Sequence, residues 1–366
     1  MEKEHNGPEG HTIAGQGFKR PGIIQICILF SFTIILFIFV GYRVQNKEFY
    51  SGILITEFGL IMLPALLFLV VFRFDLKAVL RLNGTRPLNF LVTFGIMLFA
   101  IPLAGVFNLL NLLLVNSIFG KVIIQQAPAA QNGQELLISI LVIAGSAGLC
   151  EEFLFRGVIQ RGFERFGAVR AILLAAFLFS LTHMDFQKIF GTLLLGALIG
   201  FIVYRTNSLY CGIFAHFTNN AMAVLISYAA TKLMSLFQGT GVNVPEETDL
   251  STLFSTFSTL PPEQLIVVFF IYGFMFLFVV AVFILLLYAL IRMNPVRRVM
   301  LGNEPANIHT GSTQSEILES SRNGAKGLVW LLPGILLIAG IYYFEVYRFT
   351  GVENGLIDTV RQLLGI

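Results

Sequence analysis

The sequence predicts an all-α protein, a polytopic transmembrane helix bundle with about eight core helices plus one C-terminal helix. Three observations carry that expectation. Of 366 residues, 56% are hydrophobic and 12% charged, where soluble domains carry about 25% charged residues. Mean hydropathy over the chain is +0.81. Apolar runs near the roughly 20 residues that a helix needs to cross a bilayer recur along most of its length. These figures exclude a soluble globular domain, a disordered chain and a disulfide-stapled secreted scaffold. A net charge of +3, with no basic run interleaved with aromatics, gives no footprint for nucleic acid.

The first apolar run, Ile23 to Val40, carries no charge and exceeds the apolar core of a signal peptide. No small-x-small cleavage site follows it, so it is expected to remain as a helix. Hydropathy places further spans at Tyr50 to Phe72, Phe90 to Val115, Leu136 to Phe155 (running on beyond the membrane), Ala171 to His183, Phe190 to Tyr204, Leu209 to Ala229, Leu265 to Ile291 and Leu328 to Phe344. Short cytoplasmic loops carry an excess of Lys and Arg. Lys19 and Arg20 precede the first span, and basic residues follow the second (Arg73, Lys77, Arg81, Arg86), the fourth (Arg161, Arg165, Arg170), the sixth (Arg205) and the eighth (Arg292, Arg297, Arg298). The opposite loops are poorer in them, and Gln238 to Gln264 carries only acidic charges. The expected arrangement is an integral protein of the cell membrane with a cytoplasmic N-terminus.

Four regions follow from this reading: a polar cytoplasmic N-terminus at 1–20, the transmembrane bundle at 21–295, a polar cytoplasmic linker at 296–327, and an extra transmembrane helix with a C-terminal tail at 328–366. The ninth helix reads as an appendage. Gly196 and Gly200 form a small-xxx-small pair suited to close helix approach. The cysteines, Cys27, Cys150 and Cys211, lie far apart in apolar stretches and read as buried small hydrophobes. Cys150 adjoins two carboxylates, which oppose formation of a reactive thiolate.

An ionisable group inside a span costs about 2.5 to 3.5 kcal/mol on insertion scales, and is usually paired or functional. The segment Cys150-Glu151-Glu152-Phe153-Leu154-Phe155-Arg156 concentrates three such groups. Glu152 and Arg156 are four apart, with the acid on the N-terminal side, which is the favourable helical pairing. Glu151 lies about 100° around the helix and does not share that partner. One carboxylate is thus neutralised and the other is available as a general base. The alternative is a Glu-Glu-Arg cluster that only glues helices together. Of five histidines only His183 and His216 fall in spans. With the turn between the fourth and fifth helices at Gly167, Glu151 and His183 are each sixteen residues away, so both lie about 24 Å from it. His216 comes to a similar level, and Asn220 follows it by one turn on the same face.

Glu151, His183, His216 and Asn220 can then meet in one intramembrane cavity. A glutamate and a histidine can polarise water, while a second histidine and an amide donate to the oxyanion of a hydrolysed amide. The same Glu151, His183 and His216 can instead ligate zinc with an open position for water. The sequence leaves the cofactor open between zinc and none, although HExxH, the commonest local zinc-protease signature, is absent. A transporter using these groups as a proton relay would show paired broken helices in two related halves, and these are not visible.

Glu151-Glu152-x-x-x-Arg156, Phe179-x-x-x-His183 and His216-x-x-x-Asn220 together resemble the three-motif pattern of the CPBP family of intramembrane proteases, over about residues 134–230. That family includes CaaX prenyl endopeptidases and bacteriocin-processing or immunity proteins. The resemblance implies an eight-helix core and peptide-bond hydrolysis within the membrane. It implies Glu151 and His183 as activators of water and His216 with Asn220 as oxyanion donors or organisers. Glu152 is then counted with the catalytic residues, and Arg156 and Phe179 support them. Family members are commonly called metalloproteases, while a metal-free glutamate mechanism has also been argued. The implied partners are the lipid bilayer and a membrane-associated peptide or protein substrate. A non-catalytic scaffold or bacteriocin-immunity partner is the competing reading. Glu57, Asn108 and Asn111 are further polar residues in spans, and the asparagines read as interhelical hydrogen-bonding groups.

Overall fold

The computed structural model describes residues 19–123, 128–238, 261–295 and 324–350, with 259, 355 and 359. The polar N-terminus to residue 18, most of the linker call at 296–327 and the far C-terminal tail lie outside the described residues. Among those described there is no strand, and eight helices are long and apolar enough to cross a membrane. In chain order the elements are α1 Ile23–Lys47, α2 Phe49–Val71, α3 Pro87–Phe119, α4 Gly133–Phe166, α5 Ala168–Leu181, α6 Phe186–Thr206, α7 Leu209–Leu236, α8 Pro262–Met293 and α9 Gly324–Thr350. Every apolar run expected to be helical is one.

Local chemistry sets the boundaries. Glu48 is extended and its carboxylate accepts from the amides of Tyr50 (3.2 Å) and Ser51 (2.5 Å), so it ends α1 and caps α2. Pro87 opens α3 where its missing N–H costs nothing, and Gly120, at φ +73°, closes it. Asn132 caps α4 through the amide of Glu135 at 2.9 Å. Gly167, at φ +91°, makes the turn into α5 that the depth argument requires.

The fifth helix differs from expectation. It has 14 residues and ends at Leu181, which leaves His183 in the following turn rather than on the helix. Thr182 Oγ1 (2.7 Å) and His183 Nδ1 (3.0 Å) both bond the carbonyl oxygen of Phe179, and Met184 takes the left-handed conformation at φ +48°. These side chains satisfy a carbonyl that the helix can no longer use, so the chain stops there.

Two apolar cores result. One gathers α1, α2, α4, α5 and α9, the other α3, α6, α7 and α8. The α8 helix is peripheral, with 6% of its apolar window buried, as a lipid-facing helix requires. At one end of α4, Glu164 accepts from Arg161 at 2.6 Å and from Arg81, tying the α2–α3 connection to the α4–α5 turn.

The ninth helix, expected as an appendage, is built into the first core. Ser31 on α1 donates to Trp330 O (2.8 Å) and accepts from Gly334 N (3.2 Å). Further along, Glu345 accepts from the amide of Phe186 at 3.0 Å, and the Phe186 ring packs 4.6 Å from that of Tyr342. Asn111 of α3 donates to Phe186 O at 2.7 Å. The turn carrying His183 is therefore fastened from both α3 and α9. Replacing Glu345 by Leu should strand the Phe186 amide and destabilise the protein by about 1 to 3 kcal/mol. Glu345→Gln, which keeps an acceptor oxygen, should cost less, and denaturant unfolding of both variants in detergent micelles measures the difference.

Candidate active site

Small residues bring α4, α6 and α7 close enough for their polar side chains to meet. A Cβ on Gly148 would lie 3.1 Å from the backbone of Phe217, and one on Gly212 would collide with Val203 and lie 3.2 Å from Glu152 Oε2. Across the α4–α6 contact, Arg156 Nη2 donates to Gly196 O and Gln160 Nε2 to Gly200 O, each at 3.1 Å. The small-xxx-small pair thus exposes two carbonyls, one turn apart, to two α4 side chains, also one turn apart.

The expected Glu152–Arg156 pair is present, with Nη1 to Oε1 at 2.6 Å and exposures of 0% and 1%. The same Oε1 lies 2.8 Å from His216 Nδ1. A carboxylate only accepts, so Nδ1 carries the hydrogen and Nε2 is presented on the other side of the ring. His216 Nε2 is 3.9 Å from Glu151 Oε2. Glu152 therefore orients His216 much as a buried aspartate orients the base of a catalytic triad.

Phe179 sits among these groups. Its ring centroid is 4.6 Å from the Arg156 guanidinium carbon, 5.0 Å from the His183 ring and 5.7 Å from the His216 ring. Because a carbonyl also only accepts, the 3.0 Å contact of His183 Nδ1 with Phe179 O places the hydrogen on Nδ1 and leaves Nε2 as an acceptor in the neutral ring.

Glu151, His183 and Asn220 line one cavity of about 290 Å³, whose wall also takes Glu57 from α2, Thr33, Gln45 and Thr182, and apolar side chains of α1, α2 and α4. Glu152 and His216 stand behind this wall, buried and absent from the lining. Asn220 Oδ1 accepts from Asn219 Nδ2 at 3.0 Å, so its own Nδ2 is the group able to donate. Cys150 is buried, with Sγ 3.9 Å from Met62 Sδ, and does not line the cavity.

The sequence reading missed the part played by Glu57 in this wall. Its signal was a carboxylate inside the second span, but nothing in one sequence pairs that helix with α4. The backbone carries another mark. Four π-helical stretches occur among the described residues: 37–41 in α1, 55–62 in α2, and 140–146 and 153–159 in α4. Each contributes at least one cavity residue, Phe37, Glu57, Ile143 and Leu154 among them. Such wide turns concentrate at functional sites because they re-aim side chains within a continuous helix.

Glu151, His183 and His216 were the candidate zinc ligands. Among the described residues no three His, Cys, Asp or Glu side chains are grouped to hold a metal ion. His216 Nδ1 goes to Glu152 and His183 Nδ1 to Phe179 O, partners of the kind that orient metal-bound histidines, so each ring keeps Nε2 available, but the three donors are not drawn together about one point. Replacing Arg156 by Leu should leave Glu152 as an uncompensated buried charge and cost about 3 to 5 kcal/mol. The double variant Glu152→Gln with Arg156→Met should recover much of that loss in denaturant unfolding.

Residues 133–222 match the family model described as "Rce1-like: Type II CAAX prenyl endopeptidase Rce1-like". No curated protein and no solved structure matches the chain. With the eight apolar helices, the match supports an integral membrane protein. The matched segment carries Glu151, Glu152, Arg156, Phe179, His183, His216 and Asn220, and over it the chain is similar to type II CAAX prenyl endopeptidases, a likeness that supports a CAAX-type intramembrane endopeptidase as its general class.

Proposed function

We propose that the protein is an intramembrane endopeptidase that hydrolyses a peptide bond of a membrane-delivered peptide or protein. The observation that carries this reading is the convergence of Glu151, His183 and Asn220, from three separate parts of the chain, on one cavity otherwise walled largely by apolar side chains. A packing cluster accounts for the buried Glu152–Arg156–His216 set. It does not account for a carboxylate, an imidazole acceptor and an amide donor presented to a common space.

In the proposed reaction, water enters between Glu151 and His183, and His183 Nε2 accepts a hydrogen bond from it. As the water oxygen attacks the carbonyl carbon, Glu151 takes its proton as general base. Asn220 Nδ2 donates to the developing oxyanion. Glu151 then returns the proton to the departing amide nitrogen as the C–N bond breaks, which yields a carboxylic acid and an amine and restores the carboxylate. His216, held by Glu152, flanks Glu151 with its Nε2 3.9 Å from the carboxyl. Glu152, Arg156 and Phe179 act through their neighbours as positioning residues. No step requires a metal. The distribution of Lys and Arg supports a cytoplasmic N-terminus, with the even-numbered helix ends on the same side of the membrane.

Two experiments test the proposal. Peptide products in membranes from cells carrying the wild type or Glu151→Gln are compared by mass spectrometry, and a farnesylated CAAX peptide in phosphatidylcholine vesicles serves as a first purified probe. Cleavage should fall by about 10² to 10⁴-fold in Glu151→Gln, and by about 10² to 10³-fold in Asn220→Ala, with both proteins inserted and folded. A product set unchanged by Glu151→Gln would sink the proposal and favour a non-catalytic scaffold.

A further inference from the structure

We infer that Glu57, on α2, is a positioning residue for Glu151 that holds the general-base carboxyl in the orientation hydrolysis needs. This rests on the reading of Glu151 above, and concerns a residue well outside the segment 133–222 that matches the endopeptidase family.

Glu57 is buried, at 7% exposure, within the π-helical stretch of α2, and lines the same cavity as Glu151. Its neighbour Thr56 is satisfied by ordinary packing contacts, with Oγ1 donating to Gly52 O at 2.8 Å and accepting from Gln45 Nε2 at 3.0 Å. Glu57 is different. Its carboxyl lies near enough to that of Glu151, in the cavity both line, for the two to interact. Oε2 of each residue is buried without a hydrogen-bond partner. An intramembrane carboxyl is costly and persists where it has a partner or a task, and the partner of Glu57 is the side chain proposed to activate water.

The shared cavity has a mechanical meaning. Glu151 reaches into the cavity on a flexible side chain from a helix that is π-helical immediately after it, at 153–159. His216 Nε2, at 3.9 Å, is too distant to fix the carboxyl by a direct hydrogen bond. A donor from the opposite wall supplies the missing constraint. A hydrogen bond between two carboxyl groups needs one hydrogen between them, and an amide N–H at position 57 can serve in the same place. A methyl-ended side chain cannot.

The test compares Glu57→Leu, Glu57→Gln and wild type on a peptide whose cleavage is lost in Glu151→Gln, using full-length protein in phosphatidylcholine vesicles. Glu57→Leu should lower kcat by about 10²-fold, the scale of a misplaced reacting group, with KM held within about twofold. Glu57→Gln should restore most of kcat. Leucine suits an apolar helix, and Glu57→Asp, which withdraws the carboxyl by one methylene, gives the same reading should the leucine variant not insert. Wild-type kcat in Glu57→Leu and Glu57→Asp would overturn the inference while leaving the hydrolytic role of Glu151 intact. Equal loss in the Gln and Leu variants would also overturn it, because the hydrogen bond would then not be what matters. If no cleavage depends on Glu151 at all, the proposed function fails, and this inference with it.

Discussion

The buried guanidinium of Arg156 is the constraint on which the rest of the site depends. A permanent positive charge inside an apolar bundle is tolerable only when compensated, and three different groups surround this one. Glu152 lies one turn back on the same helix, Gly196 O is offered by α6, and the face of Phe179 is offered by α5. Satisfying one cation therefore draws three helices to a point. Glu152, once committed there, also takes the hydrogen of His216 Nδ1, which ties in α7. Packing and chemistry are thus coupled through a single carboxylate oxygen. The chemistry-bearing residues that face the cavity are its neighbours, and inherit their positions from it.

Irregular backbone does the remaining work. A membrane helix must satisfy its own carbonyls and amides, because lipid offers no partners. Opening a polar cavity in a bundle of such helices calls for departures from regularity that leave no group stranded. The wide turns of α1, α2 and α4 re-aim side chains while the helices continue, and the end of α5 is sealed by the side chains of Thr182 and His183 on Phe179 O. His183 has two tasks here: it terminates the helix through one ring nitrogen and presents the other.

Much of this was legible in the sequence. Nine apolar runs became nine helices, because hydrophobic length is a strong and local signal. The equal spacing of Glu151 and His183 about Gly167 anticipated their shared cavity, since an antiparallel helix pair converts residue count into depth. The pairing of Glu152 with Arg156 followed from helical geometry alone. Other features were hidden for identifiable reasons. Phe179, one of 37 phenylalanines, was singled out only by the resemblance, because the packing of its ring against Arg156 and His216 joins helices that no local pattern pairs. The division of labour between His216 behind the wall and Asn220 within it depends on a rotation of α7 that helix periodicity does not fix. Glu57 stood out as a carboxylate in a span, but its partner lies 94 residues later on a helix that only tertiary packing brings to it. The end of α5 before His183 was missed because Leu, Thr and His carry no strong breaker, and the stop is made by side-chain hydrogen bonds.

The fastening of Phe186 by Glu345 bears on how the protein is made. Membrane chains are synthesised from the N-terminus, at about 5 to 20 residues per second. The amide behind the His183 turn thus waits for a carboxylate translated 162 residues after that histidine, a delay on the order of ten seconds. During that interval the nascent enzyme has its histidine but lacks one of the ties that set it. A hydrolase assembled among other unfinished polypeptides gains from such lateness, because its cutting geometry matures only after the ninth helix has been made.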